Sequence, residues 1–233
     1  MTRKTKRYLI WDFDGTLGYR DGGAWTASLL ETIGLVLPDY PVTLEQLRPS
    51  IQTGFPWHEP DRPHPHLTSA EAWWEALYPV LEQACQAAGL DEARARTVAR
   101  RFRAVYLNLD LWRLFDDVLP VLDALSARGW THVILSNHVP ELGDIVRHLD
   151  LASRIAYVFN SAETGYEKPH PRAFQIALET LPDVGTVWMI GDSFTADVQG
   201  AEAVGLPAIL VRRQHAQARY SCATLLACSI PPA

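Results

Sequence analysis

The chain has 233 residues, 48% of them hydrophobic, and 27 acidic against 21 basic side chains give a formal charge of −6. That length leaves room for a catalytic domain with a smaller insertion. The mild negative charge argues against general nucleic-acid binding, and no run approaches the ~20 apolar residues that a membrane helix requires. The first predicted element is a short buried strand over Tyr8–Trp11. The basic cluster Arg3, Lys4, Lys6 and Arg7 precedes it, but the apolar run stops at Asp12, too soon for the apolar region of a signal peptide. The strand runs into Asp12-Phe13-Asp14-Gly15-Thr16-Leu17, where two carboxylates crowd a strand end and Gly15 permits a sharp turn. Such a pair is costly unless a cation or a shared proton compensates it, which marks it as a functional candidate.

From Leu17 to Leu114 the apolar residues recur at helical spacing, predicting helices over 24–36, 43–51, 68–88 and 91–107. Thr68 and Glu71 have the spacing of a capping box, and Gly89 closes the third helix. A proline-broken loop over 54–66 carries Trp57, His58 and Arg62. A helix over 117–128 ends at Gly129, and strands then alternate with helices, which means βαβ units and a parallel sheet. The strand over 131–135 ends in Ser136-Asn137, and the one over 187–190 ends in Gly191-Asp192, with Asp197 shortly after. Lys168 lies between them, and a last helix is expected near 218–227. Cys85, Cys222 and Cys228 form neither a zinc-like spacing nor an even set, so a reduced cytoplasmic setting is expected, with pairing of Cys222 and Cys228 under oxidation as the minor alternative.

Taken singly, these residues have ordinary explanations. Ser136 reads as a turn hydroxyl, Lys168 as a solvated lysine, and Asp192 and Asp197 as a helix cap and a first-turn acid. Taken in order they do not, because residues at the carboxyl ends of parallel strands converge on one crevice. The ordered set resembles the four-motif signature of the haloacid dehalogenase-like (HAD) hydrolase superfamily: Asp12 to Leu17, Ser136-Asn137, Lys168, and Gly191-Asp192 to Asp197.

The resemblance implies a Rossmann-like parallel-sheet core over 1–17 and 115–233 and an inserted helical C1 cap over 18–114. It implies a Mg²⁺-dependent phosphohydrolase with Asp12 as nucleophile, Asp14 as general acid and then base, and Ser136, Asn137 and Lys168 binding the phosphoryl oxygens. Asp12, the Asp14 carbonyl and Asp192 are the expected metal ligands, with Asp197 nearby as an outer partner. The dehalogenases that named the superfamily lack an acid at the position of Asp14, so its presence favours phosphate chemistry. A phosphomutase, or a binding protein that keeps the fold without turnover, are the competing readings. The expected partner is a small phosphate ester, with neither nucleic acid nor membrane, and the oligomeric state is open. Arg20, Trp25, Trp57, His58 and Arg62 are the candidates for contact with the leaving group, against a reading in which the aromatics only pack the helices. His138 and His170 flank motif residues and suit either a substrate contact or solvent.

Overall fold

The computed structural model describes residues 5–230. Its strands are β1 (Lys6–Trp11), β2 (Gly18–Arg20), β3 (Trp112–Leu114), β4 (Trp130–Ser136), β5 (Ile155–Asn160), β6 (Val184–Gly191), β7 (Ala208–Val211) and β8 (Ser221–Cys222). The helices are α1 (Trp25–Val36), α2 (Leu44–Leu47), α3 (Ala70–Ala87), α4 (Glu92–Tyr106), α5 (Val118–Ala127), α6 (Leu142–His148), α7 (Ser161–Thr164), α8 (Pro171–Thr180) and α9 (Gly200–Ala203). Six strands form one sheet in the order β5-β4-β1-β6-β7-β8, with every neighbouring pair parallel. This is the parallel α/β sheet expected from the alternation of elements, and the Rossmann-like architecture that the resemblance implies.

The central strand shows why the fold forms. Tyr8 and Ile10 enter the hydrophobic cluster on one face of the sheet, and Leu9 and Trp11 enter the cluster on the other. A strand covered on both faces reads as a continuous apolar run because successive side chains alternate in direction. Trp11 is in register with Ile134 of β4 and Ile190 of β6, so the residues following these three strands emerge side by side.

Helices α1 to α4 lie between β2 and β3, which pair antiparallel as a short ribbon. Leu29 and Ile33 of α1, Trp73, Trp74, Leu77 and Leu81 of α3, and Val98 and Phe102 of α4 share one core with Leu9 and Trp11. The helical segment is thus packed onto the sheet through the same hydrophobic cluster. Polar ties reinforce that packing. Glu141 accepts from Trp74 Nε1 at 3.1 Å and from Arg103 Nε at 3.0 Å, and His64 Nε2 lies 2.9 Å from Glu167 Oε1.

Three local expectations are corrected. The cap of α3 is Ser69, whose Oγ accepts from the Ala72 N–H at 3.2 Å, so the Thr68–Glu71 box does not form. No helix covers 218–227: Ser221–Cys222 adds as β8 to the edge of β7, and Leu225–Ala227 makes only a 3₁₀ turn. The exposed edge of β7 offers backbone groups that a short strand satisfies better than a marginal helix would. Cys222 and Cys228 are joined in a disulfide across that turn, and Cys85 alone is free, buried in α3. Arg3, Lys4 and the terminal Pro231 and Pro232 lie outside the described residues. Among the described residues no helix is long and apolar enough to cross a membrane.

The tail is tied back to the first loop through one ion pair. Asp117 accepts from Arg212 Nη1 at 3.1 Å and from the Leu225 N–H at 2.8 Å, while Arg212 Nε donates to the Thr16 carbonyl at 3.1 Å. Burial raises the Asp117 carboxyl, but these donors outweigh it and hold it below its ordinary value of 3.8. A depressed carboxylate contributes stability that is present above the unfolded-state value and is lost as pH falls through the folded-state value. Asp117→Asn is therefore expected to cost about 2–4 kcal/mol at pH 7, with the gap to wild type closing below about pH 4. Urea denaturation of both proteins across pH checks this; a gap independent of pH would contradict it.

Candidate active site

Asp12 follows β1 and extends its pairing, its N–H donating to the Ile190 carbonyl at 2.9 Å. The chain then turns tightly. The Phe13 carbonyl accepts from Leu17 and Gly18, each at 2.9 Å, and Gly15 sits at φ +76°. A Cβ on Gly15 would lie 2.5 Å from Asp192 Oδ2, so glycine lets the loop approach that carboxylate. At Gly191 a Cβ would collide with the carboxylate of Asp197. Glycines at these two positions bring three acids close together: Asp12, Asp192 and Asp197 each place an oxygen within 4.8 Å of the others.

Lys168 reaches into this cluster from the loop before α8. Its Nζ is 2.8 Å from Asp12 Oδ1 and 2.6 Å from Asp197 Oδ1, and its side chain is 2% exposed. Ser136, at the end of β4, donates to the same Asp12 Oδ1 at 2.9 Å. The Asn137 side chain clamps the lysine loop, with Nδ2 donating to the Lys168 carbonyl at 2.8 Å and Oδ1 accepting the Lys168 N–H at 2.7 Å. Asp197 lies on a π-helical turn over Phe194–Gln199, and its Oδ2 accepts the Ser193 N–H at 3.0 Å. With both oxygens engaged, Asp197 is better placed to orient Lys168 than to bind an ion directly. Arg213, whose side chain is largely exposed, pairs with Asp192 Oδ2 at 2.9 Å, a contact that no motif predicted.

The electrostatics follow from this crowding. Asp14 stands at the cleft with 40% of its side chain exposed; desolvation there, with Asp12 and Asp192 close by, pushes its carboxyl up to about 8. Burial and the charge of Asp12 also raise Asp192, with Arg213 and Lys168 pulling back. Burial alone would lower Lys168, but Asp12 and Asp197 overcome it and raise the ammonium pKa, so the lysine is charged. The acids at the cleft thus outnumber the cations that compensate them. An all-oxygen, carboxylate-rich donor set with excess negative charge fits a hard divalent cation such as Mg²⁺.

A cavity of about 430 Å³ opens over this cluster, lined by Asp12, Asp14, Lys168 and Asp197 together with Trp25, Trp57 and Tyr106 of the helical segment. Trp25 and Trp57, two of the leaving-group candidates, thus line this cavity. The other leaving-group candidates do not. Arg20 is buried in the helical segment, donating to Glu31 Oε2 at 2.9 Å and to the Val105 and Tyr106 carbonyls, and lines no part of this cavity. His58 is exposed and its Nδ1 accepts the Phe55 N–H at 3.3 Å, while Arg62 lies in solvent beside Glu59. A long polar side chain in a loop finds local partners unless the fold aims it elsewhere, and nothing in the spacing of this loop revealed the aim. His170 caps α8, its Nδ1 accepting the Arg172 N–H at 3.1 Å.

Two cavity residues carried little sequence signal. Tyr106 ends α4, far in sequence from every motif. His138 follows the second motif directly and is fully buried, its Nδ1 3.2 Å from the Val139 carbonyl and its Nε2 3.5 Å from Asp14 Oδ2. Burial pushes His138 down to about 4, so the ring is neutral near pH 7. An Nδ1–H donating to Val139 leaves the Nε2 lone pair turned toward Asp14, which suits a protonated carboxyl there.

A family model for haloacid dehalogenase-like hydrolases matches residues 6–205. The chain is a haloacid dehalogenase-like hydrolase. A curated relative, haloacid dehalogenase-like hydrolase domain-containing protein 3 of Mus musculus, is 28% identical over 90% of this chain and 83% of its own length. The phosphoserine phosphatase of Thermus thermophilus is 30% identical over 64% of this hydrolase and 60% of its own length. Among solved structures, the HAD-hydrolase YfnB of Bacillus subtilis, crystallised with magnesium, superposes with a TM-score of 0.67 at 20% identity, covering 96% of each chain. At that identity the likeness shows a shared fold for the two hydrolases.

Proposed function

We propose that this hydrolase is a Mg²⁺-dependent phosphatase that cleaves a small phosphomonoester through a phosphorylated Asp12. The observation that carries the reading is the convergence of Ser136 and Lys168 on one oxygen of Asp12, with the raised Asp14 carboxyl beside them. Asp12 is thereby held as an oriented nucleophile, and the same two donors are in reach of the oxygens of a phosphoryl group that it attacks. Asp14, protonated as its raised pKa favours, gives its proton to the departing alkoxide and then takes one from the water that opens the acyl phosphate. Asp12, Asp192 and the Asp14 carbonyl would hold Mg²⁺, which supplies neutralisation of the phosphoryl charge, while Asp197 keeps Lys168 in place. Residues 18–114 act as a C1 cap over the catalytic core, excluding bulk water and macromolecules in favour of a small ester. A cytoplasmic setting belongs to this reading, and there the Cys222–Cys228 pair would be held reduced.

The test is phosphate release from a panel of phosphomonoesters with Mg²⁺ and with EDTA. Metal-dependent release is expected; isomerisation of a hexose 1-phosphate without free phosphate would instead identify a mutase, and folded protein releasing nothing from any ester would contradict catalysis. The role of Asp14 gives a sharper result. Asp14→Asn removes proton donation, so kcat/KM for alkyl esters is expected to fall by about 10²–10⁴. Aryl esters, whose phenolate leaves with less need of a proton, are expected to lose markedly less. Equal losses for both ester types would exclude the general-acid role.

A further inference from the structure

We infer that the leaving-group half of the cavity is built for an uncharged, ring-bearing group, and that Trp25, Trp57 and Tyr106 determine this specificity. The inference deepens the phosphohydrolase reading above and rests on it.

Two features of the cavity support it. The wall supplied by the helical segment consists of Trp25, Trp57, Pro60 and Tyr106, with no cationic side chain among them. Of the arginines of the helical segment, Arg20 is committed to Glu31, Arg103 to Glu141 and Arg62 to solvent and Glu59, while Arg213 of the core pairs with Asp192 and does not line the cavity. Lys168, the one cation lining the cavity among the described residues, already serves Asp12 and Asp197. A leaving group bearing a carboxylate or second phosphate would find no uncommitted counter-charge in the wall and would face Asp12 and Asp197.

The second feature is the packing of the aromatic wall. Trp25 is enclosed by Tyr106, Phe55, Trp57 and Phe102, with ring centroids 4.5, 4.6, 5.2 and 5.6 Å away. Trp57 in turn stacks on Phe55 at 4.9 Å. The wall is therefore preorganised, which lowers the ordering cost of binding. Trp25 stacks with Tyr106 and Phe102 and Trp57 with Phe55, so part of the π-surface of each ring is already covered by another ring. Covered π-surface is lost to cation–π attraction, which needs an open face, whereas a ligand ring can pack against either the remaining face or the positive edge of the wall rings.

The test uses three phosphonates that share a phosphonate on a methylene and cannot be hydrolysed: benzylphosphonate, phosphonoacetate and 2-aminoethylphosphonate. Their affinities for the Mg²⁺-loaded protein are measured by titration calorimetry, so the ranking does not depend on turnover. Benzylphosphonate is expected to bind about tenfold or more tightly than either charged probe. Trp57→Ala is expected to weaken benzylphosphonate by about tenfold and the charged probes by no more than about twofold. The half-buried position of Trp57 makes it the mildest place to test the wall, and should that variant fail to fold, the wild-type ranking decides alone. Phosphonoacetate or 2-aminoethylphosphonate binding as tightly as benzylphosphonate, or Trp57→Ala weakening all three alike, would overturn the inference and leave the phosphatase reading standing. Failure of every phosphonate and of inorganic phosphate to bind would overturn both.

Discussion

Asp12→Asn is expected to lower phosphate release by at least about 10³-fold while leaving the fold intact. The amide keeps the shape of the carboxyl and an oxygen for Ser136 to donate to, but it is a poor nucleophile and cannot form the acyl phosphate. Stability should not suffer. Asp12 is buried beside Asp192 and Asp197, and Lys168 retains Asp197 as its partner when the Asp12 charge is gone. Removing one acid from a crowded set relieves repulsion, so the denaturation midpoint of the metal-free variant is expected to equal or exceed that of wild type. Peptide mass spectrometry of wild type quenched during turnover is expected to place a phosphoryl adduct on Asp12, absent from the variant. An adduct on another residue, or undiminished release by the variant, would refute the nucleophile assignment.

Lys168→Met should be the most damaging single change to the site. It deletes a buried cation of similar volume and leaves Asp12 and Asp197 buried without their shared partner. Stranding buried charge in this way costs about 3–5 kcal/mol. The cost depends on pH in a definite direction. Burial already raises the Asp197 carboxyl and Lys168 pulls it back, so without the lysine it rises further, and the penalty is present at high pH and shrinks as pH falls and Asp197 takes up a proton. The variant is therefore expected to fall furthest behind wild type at pH 8 in EDTA and to recover part of the difference at pH 5. Mg²⁺ should restore stability at pH 8 without restoring turnover, because an ion neutralises the acids but does not replace a donor to the phosphoryl group. Equal denaturation midpoints for the two proteins at pH 8 in EDTA would show that the ammonium does not hold the cluster together.

The same residues explain which parts of the protein could be read from its sequence. Asp12, Ser136 and Asp192 each follow a continuous apolar run, and parallel strands buried on both faces bring their carboxyl ends to one edge. Lys168 needed more than periodicity, since it lies in a loop, and its place in the ordered motif set was the only signal. The helices of the inserted segment were legible from spacing, but the direction of their side chains was not. Arg20 and Arg62 look alike in sequence; one is buried among carbonyls and the other stands in solvent. Neither faces the cavity, whereas Tyr106, with no motif near it, does. The disulfide joining Cys222 to Cys228 likewise depends on how β8 and the following turn fold back on the sheet edge.

What the amino-acid order determined by itself was therefore the parallel sheet, the helical insertion, the acids and hydroxyl at the strand ends and the place of Lys168 in the ordered set. The sheet and helices follow from local periodicity, and the site residues from residue type and their order along the chain. Only the tertiary structure decided which rings wall the cavity, which arginines are consumed by internal partners, and that His138 turns a neutral nitrogen toward Asp14. Those outcomes depend on contacts between residues far apart in the chain, whose competition for partners is resolved only when the helices pack on the sheet.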